Sequence, residues 1–377
     1  MIMVSTGPAS CPPDVCLLSN GHYNVLVTAA GSGYSAVDGT DVTRWREDAT
    51  GDCGGQYCYL RDLEGGRVWS AGRQPIGAGA DKYEAELRPD CAVIRRRDGE
   101  IESCYEIAVV PDANAEVRRL TLTNRGNRLR TLDVTSYSEV ALNPRRADQA
   151  HPAFAKLFLE TERVQEAALL CRRRPRARDQ QPAWALHVLA TAEQASGFEL
   201  ETDRARFLGR GRSARNPVAL ETKAPLSGTT GPVLDPIFSL RRMVRLLPGE
   251  STVLAFTTAI PRDRDEAMVL AVRFSALEAI DRAFGERDDQ MIERRAPALD
   301  AAGDLGGEGP VALVVQAAAC RGQCGRKVAA AGRNGAQDLV RREPRRRDHG
   351  AAVNRSPVVR RWPARNSRAF IGRLPSA

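Results

Sequence analysis

Residue types suited to binding chemistry crowd into the first sixty positions of this chain. Gly31-Ser32-Gly33-Tyr34-Ser35 is followed by Thr43-Arg44-Trp45-Arg46-Glu47-Asp48 and then by Gly54-Gly55-Gln56-Tyr57. The glycines permit tight backbone. Tyr34, Arg44, Trp45, Arg46, Glu47 and Asp48 combine ring faces with hydrogen-bonding charge. An aromatic face takes the C–H face of a sugar ring while guanidinium and carboxylate groups take its hydroxyls. These six are therefore the candidate substrate-binding residues. The alternative is that Trp45 fills a core and the charges pair with one another on a loop. Glu47 and Asp48 are adjacent and would point apart on a strand or loop. No partner is identifiable for the carboxylate pair that glycoside cleavage normally needs. No Gly-x-Ser-x-Gly elbow occurs, so a Ser/His/Asp hydrolase has no visible nucleophile.

Other clusters are weaker. Gly209-Arg210-Gly211-Arg212-Ser213 has the composition of an anion-binding loop, but such a loop sits between a strand and a helix. Here Asn216-Pro217 intervenes, so the segment reads as a plain loop. His151 in His151-Pro152-Ala153-Phe154 and Asp235 in Leu234-Asp235-Pro236-Ile237 are isolated acids or bases beside prolines. The four histidines, at 22, 151, 187 and 349, are too dispersed for a metal site, and no cofactor is expected. Nine cysteines, an odd number with no CxxC spacing, read as reduced thiols of a cytoplasmic protein. No signal peptide is recognised, and no apolar run is long enough to span a membrane.

The elements that must position these residues are mostly strands. Ile101, Ser103, Tyr105, Ile107 and Val109 alternate with Glu102, Cys104, Glu106 and Ala108, and Phe238, Leu240, Arg242, Val244 and Leu246 alternate again. Arg242 is unexplained if that face points inward. Leu120-Thr121-Leu122-Thr123 and Leu132-Asp133-Val134-Thr135 show the same period of two around the turn Asn124-Arg125-Gly126-Asn127. That period puts every second side chain on one face of a sheet. Asp98-Gly99 and Glu64-Gly65-Gly66 are hairpin signals. Many short strands argue for an antiparallel sandwich over about residues 14–260. Between about 261 and 295 the period changes. Ala267, Leu270, Phe274, Leu277, Ile280 and Phe284 recur every three or four residues, as on one helical face, and Ser275 is placed to cap a second helix. If something else is meant to cover it, the face of Leu270, Phe274 and Leu277 should be incompletely buried.

The chain carries a formal charge of +8, yet residues 301–377 alone hold 15 basic and 5 acidic side chains. The first 300 residues are thus close to neutral, and the basic character belongs to the last segment. That segment reads either as a disordered polyanion-binding arm or as out-of-frame translation of GC-rich DNA, and the second reading is favoured. No nucleic-acid partner is expected.

A family resemblance rests on several of these stretches together. Leu17-Leu18-Ser19-Asn20-Gly21-His22-Tyr23, Gly31–Ser35, Thr43–Asp48, Tyr59-Leu60-Arg61-Asp62, Val68-Trp69-Ser70-Ala71-Gly72-Arg73-Gln74-Pro75, His151–Phe154 and Asp203-Arg204-Ala205-Arg206-Phe207-Leu208-Gly209-Arg210 resemble the opening of family 94 glycoside hydrolases. The cellobiose and chitobiose phosphorylases and the cyclic β-1,2-glucan synthases belong to that family. The stretch Ala36–Val42 departs from its usual aromatic and basic pattern. The resemblance implies a mainly β, antiparallel β-supersandwich similar to galactose mutarotase, followed by linker helices. It also implies β-glucan or gluco-oligosaccharide as partner. In the family an (α/α)6 barrel follows and supplies the catalytic acid, with phosphate as nucleophile. Nothing in this sequence reads as that barrel, so no catalytic residue is carried over. The implied role is a carbohydrate-binding fragment, with a family barrel as its further partner and an inner-membrane-associated parent enzyme; the alternative is a stand-alone glycan-binding β-sandwich.

Overall fold

The computed structural model describes residues 3–5, 14–45, 54–177, 181–192, 197–222 and 224–293. Arg46, Glu47 and Asp48 and the basic stretch 301–377 lie outside these, as do the expectations attached to them. In chain order the strands are β1 (Met3–Ser5), β2 (Val15–Ser19), β3 (Tyr23–Thr28), β4 (Gly33–Val37), β5 (Thr40–Thr43), β6 (Tyr57–Asp62), β7 (Val68–Ser70), β8 (Lys82–Leu87) and β9 (Ala92–Asp98). They continue as β10 (Ile101–Val109), β11 (Ala115–Asn124), β12 (Arg130–Pro144), β13 (Leu159–Gln165), β14 (Ala168–Arg173), β15 (Ala183–Thr191), β16 (Phe198–Asp203), β17 (Pro236–Leu246) and β18 (Ser251–Ala259). The helices are α1 (Arg145–Ala150), α2 (Pro152–Lys156), α3 (Arg204–Leu208), α4 (Arg264–Phe274) and α5 (Leu277–Glu293).

Two nine-stranded antiparallel sheets result. The first runs β1-β8-β9-β10-β11-β18-β15-β14-β13, and the second runs β16-β17-β12-β5-β4-β3-β2 with β6 and β7 attached through β12. This is the mainly β antiparallel sandwich that the alternating patterns imply, and it agrees with the supersandwich that the family resemblance implies. Ile101, Tyr105 and Ile107 of the first sheet meet Val25, Leu132, Val134, Phe238 and Leu240 of the second in one buried core. Asp98 pairs with Ile101 across a two-residue turn in which Gly99 has φ 62°, the positive φ for which glycine is used. The turn at 124–127 does a different job. It joins β11 in one sheet to β12 in the other, so it is a crossover between layers and not a hairpin. Arg242 does face inward. It lies 4.7 Å over the Phe198 ring, a cation–π contact that makes a buried guanidinium tolerable.

Both outer faces are partly covered, which is why some strands are buried on both sides. Tyr57, Tyr59, Tyr137 and Ile237 of the second sheet pack against Phe207 and Leu208 of α3. Val117, Leu186, Val188 and Ala255 of the first pack against Ala267, Ala271, Phe274 and Ile280. Phe274 is therefore wholly buried, against the expectation that it would be incompletely buried together with Leu270 and Leu277. Leu270 and Leu277 are half-buried on the same cluster, because the helical pair closes back on the sheet. The exposed apolar residues of α4 are instead Val269 and Val272. Ser275 also differs from its expected role: its hydroxyl donates to the Val272 carbonyl at 2.8 Å and so ends α4. No described helix is long and apolar enough to cross a membrane.

Candidate functional site

Residues of several motif stretches, Tyr34, Arg44, Trp45 and Arg204 among them, meet on the side of the second sheet turned away from the core. β4 and β5 form a hairpin whose start depends on Gly33: at φ 148° any Cβ there would overlap the Leu26 carbonyl oxygen. Alternation along β4 turns Ser35 inward and Tyr34 outward. Just past β5, the Arg44 amide donates to the Glu139 carbonyl at 2.8 Å. Arg44 thereby sits beside the end of β12 and the short helix α1.

Arg44 is buried and forms a two-point fork onto Asp148, with Nε–Oδ2 at 2.7 Å and Nη2–Oδ1 at 2.8 Å. Its Nη1 also donates to Glu139 Oε2 at 3.3 Å. Glu139 accepts from Arg204 Nε at 2.7 Å and from the Tyr137 hydroxyl at 3.1 Å. Arg204 reaches Asp235 at 3.6 Å, and Asp235 pairs with Lys156 at 2.7 Å. A single chain of charges therefore joins stretches that lie far apart in sequence: Thr43–Asp48, the end of β12, α2, Asp203–Arg210 and Leu234–Ile237. Burial alone would lower the guanidinium pKa of Arg44, but Asp148 and Glu139 outweigh it and hold the group above its ordinary value. Tyr137 is pushed well above a phenol's usual range by burial and by Glu139.

Beside this chain the Tyr34 ring is held between two partners. Trp45 stacks on it at 5.4 Å with 17° between planes, and the Arg145 guanidinium lies 4.2 Å from its centre. Arg145 is itself forked onto Asp41 at 2.9 and 3.2 Å. Burial pushes the Asp41 carboxyl up, with Arg145 opposing. Of the candidate binding residues, the structure thus brings together Tyr34, Arg44 and Trp45. Tyr34 is 2% exposed and Arg44 6%, while Trp45 is half-buried. The charges do pair with one another, as the alternative reading has it, and Trp45 packs half-buried against Leu26, Tyr34 and Ala36. At the rim, Leu157 and Leu234 are exposed beside the Lys156–Asp235 pair, as is Phe154 of α2.

The fork makes a testable claim about Arg44. Arg44→Lys keeps the charge but loses the planar two-point geometry. It is expected to lower stability by about 1.5–3 kcal/mol, the scale of hydrogen bonds to charged groups. Urea unfolding measures this directly, and an unchanged midpoint would show the fork to be dispensable.

Sequence reasoning missed a second polar cluster, between the sheets. Glu116 on β11 is fully buried. It accepts from Arg118 Nε at 3.0 Å, Gln56 Nε2 at 2.7 Å, the Tyr23 hydroxyl at 3.4 Å and the Ser35 hydroxyl. His187 lies close by, its ring parallel to Phe238 and Phe256 at 5.4 and 5.9 Å. Its Nε2 meets the Ser136 hydroxyl at 2.9 Å and its Nδ1 the Thr258 hydroxyl at 3.0 Å. The signal was present: Glu116 and Arg118 continue the Leu120, Leu122 alternation backwards on the inward face.

Each carboxylate of the outer network already faces a cation. Burial pushes the Cys16 and Cys58 thiols up to about 12, which keeps them protonated and poor nucleophiles. Cys16, Cys58, Cys104 and Cys171 are free cysteines. No described group of three or more His, Cys, Asp or Glu side chains could hold a metal ion.

Comparison with known proteins places the chain in a family. Residues 1–277 match the glycosyl hydrolase 94 supersandwich domain. The cyclic beta-(1,2)-glucan synthase NdvB of Rhizobium meliloti is 38% identical over 266 residues, which is 70% of this chain and 9% of that protein. An N,N'-diacetylchitobiose phosphorylase of Vibrio proteolyticus is 23% identical over 78% of this chain and 36% of its own length. Among solved structures, a putative kojibiose phosphorylase from the human microbiome overlays with a TM-score of 0.41 at 5% identity, covering 73% of this chain and 35% of that one. The chain spans well under half the length of the curated relatives it matches. The motif series, the paired nine-stranded sheets and a domain match covering most of the chain make it a member of glycosyl hydrolase family 94, whose supersandwich domain it carries.

Proposed function

We propose that this chain is the glycan-facing module of a cyclic β-1,2-glucan synthase-like enzyme and does not cleave or transfer glycosidic bonds by itself. The observation that carries this reading is the 38% identity to NdvB over 266 residues. It is supported by the outer side of the second sheet, where residues of three shared motif stretches, Tyr34, Arg44 with Trp45, and Arg204, lie in one network and Trp45 is half-buried. The described helices cover the sheets and do not build a helical barrel, and the charged residues of the site are committed to one another. The acid that protonates the glycosidic oxygen is assigned to a family barrel, which we take as the module's protein partner. A cytoplasmic position, beside an inner-membrane-associated parent, belongs to the same reading.

Two measurements test it. Purified chain given β-1,2-glucan and inorganic phosphate should release no glucose 1-phosphate above background, and robust release would overturn the non-catalytic assignment. Calorimetry with β-1,2-linked gluco-oligosaccharides should show binding. Trp45→Ala should weaken it by about 1–3 kcal/mol, as for loss of one anchoring aromatic. Absence of any binding by the unaltered chain would remove the glycan reading.

A further inference from the structure

We propose a second saccharide-binding site on the first sheet, in the groove floored by Trp184. This rests on the glycan reading above and adds a place for the ligand that none of the motif residues supplies. The groove has a volume of about 410 Å3 and lies between the outer face of β13–β15, the start of α4 and the loop at Gly231–Pro232. That size falls within the range of small-ligand clefts.

Strand register builds the floor. Glu160 on β13 stands opposite Arg172 on β14, which stands opposite Trp184 on β15. One row thus carries carboxylate, guanidinium and indole side by side. Arg172 lies 5.7 Å from the Trp184 ring centre and 3.3 Å from Glu160. Glu162, two residues along β13, pairs with Arg264 of α4 at 2.8 Å. The far wall is fixed by paired backbone hydrogen bonds between Thr161 and Gly231 at 2.7 and 3.0 Å.

Three features point to a neutral polyhydroxylated ligand. The half-buried indole brings apolar ring surface into the groove, of the kind that takes the C–H side of a pyranose. The two lining carboxylates and two lining guanidinium groups balance, so the groove has no net charge to favour a phosphate or a metal ion. The four charged side chains are between 33% and 55% exposed. Ion pairs this wet are worth little, so their donors and acceptors can turn to sugar hydroxyls at small cost. The outer network around Arg44 differs in this respect, because its charges are buried and already fixed. Trp184 lies on β15 of the first sheet and Trp45 just past β5 of the second, so substitutions can separate the two sites.

The test is calorimetry with β-1,2-linked gluco-oligosaccharides on the full chain. Trp184→Ala should weaken binding about fivefold or more, the lower range for an anchor aromatic. Glu162→Gln removes a hydrogen-bonding charge from an exposed position outside the core and should weaken it severalfold while circular dichroism stays unchanged. That variant decides the matter if Trp184→Ala fails to fold. Affinity should vary little with salt, since no net charge is engaged. Undiminished affinity in Glu162→Gln together with a folded Trp184→Ala, or a steep fall of affinity with salt, overturns the groove and leaves the general glycan reading standing. No binding by the unaltered chain overturns both.

Discussion

Glu116→Ala is expected to lower the stability of the domain by about 3–5 kcal/mol, the cost of removing one member of a buried ion pair. Arg118 would be left buried beside Tyr105 and His187 with no counter-charge. Its two terminal nitrogens already lack a hydrogen-bond partner among the described residues. Glu116 presently holds that guanidinium above its ordinary pKa against the pull of burial, so the truncation removes the compensation and keeps the desolvation cost. Gln56 would lose an acceptor at 2.7 Å, and the Ser35 and Tyr23 hydroxyls would lose theirs. Urea unfolding with a fixed slope reads the effect as a lower midpoint. Glu116→Leu combined with Arg118→Met should recover much of the loss, because a matched apolar pair has no charge to desolvate. A single-variant loss below about 1 kcal/mol would mean that water reaches Arg118 and that the space between the sheets is not dry.

Acid should unfold the domain through His187. Burial, reinforced by the positive charge of Arg118, lowers its pKa to about 3. In the unfolded chain the imidazole takes a proton near pH 6.5. Between those values the unfolded state binds more protons, so stability rises with pH there. The contribution is complete above about pH 6.5 and shrinks by about 1.4 kcal/mol per pH unit on the way down. It stops shrinking near pH 3, where the folded state also accepts the proton. Asp41 and Asp133, whose pKa values burial pushes up, act with the opposite sign and gain stability on acidification. The comparison of the unaltered chain with His187→Leu isolates the histidine. The slope of unfolding free energy against pH between about 4 and 6 should be shallower in the variant by about 1.4 kcal/mol per unit. Equal slopes would mean that His187 titrates normally in the folded domain.

Much of the layer structure was legible in local patterns. Alternation from Ile101 to Val109 and from Phe238 to Leu246 marks two strands and tells which side chains face the core. Asp98-Gly99 sets a hairpin because its backbone conformation is a local property. The three-to-four spacing from Ala267 to Phe284 marks α4 and α5 for the same reason. Pairing between charges is not local. Arg44 and Asp148 are 104 positions apart, and Arg204 and Glu139 are 65 apart. Nothing in either stretch names its partner.

By itself the sequence determined the β-rich class, the helical segment that follows it and the motif series shared with family 94, because hydrophobic period and turn chemistry act over a few residues. Only the tertiary structure decided that Arg44 serves as an internal tie and that Trp45 rests on Tyr34. It also decided that Phe274 is sealed against the first sheet and that a row of Glu160, Arg172 and Trp184 forms across three strands. Those outcomes depend on which strands become neighbours and which charges are desolvated together, and both are fixed only when the two sheets close over a common core.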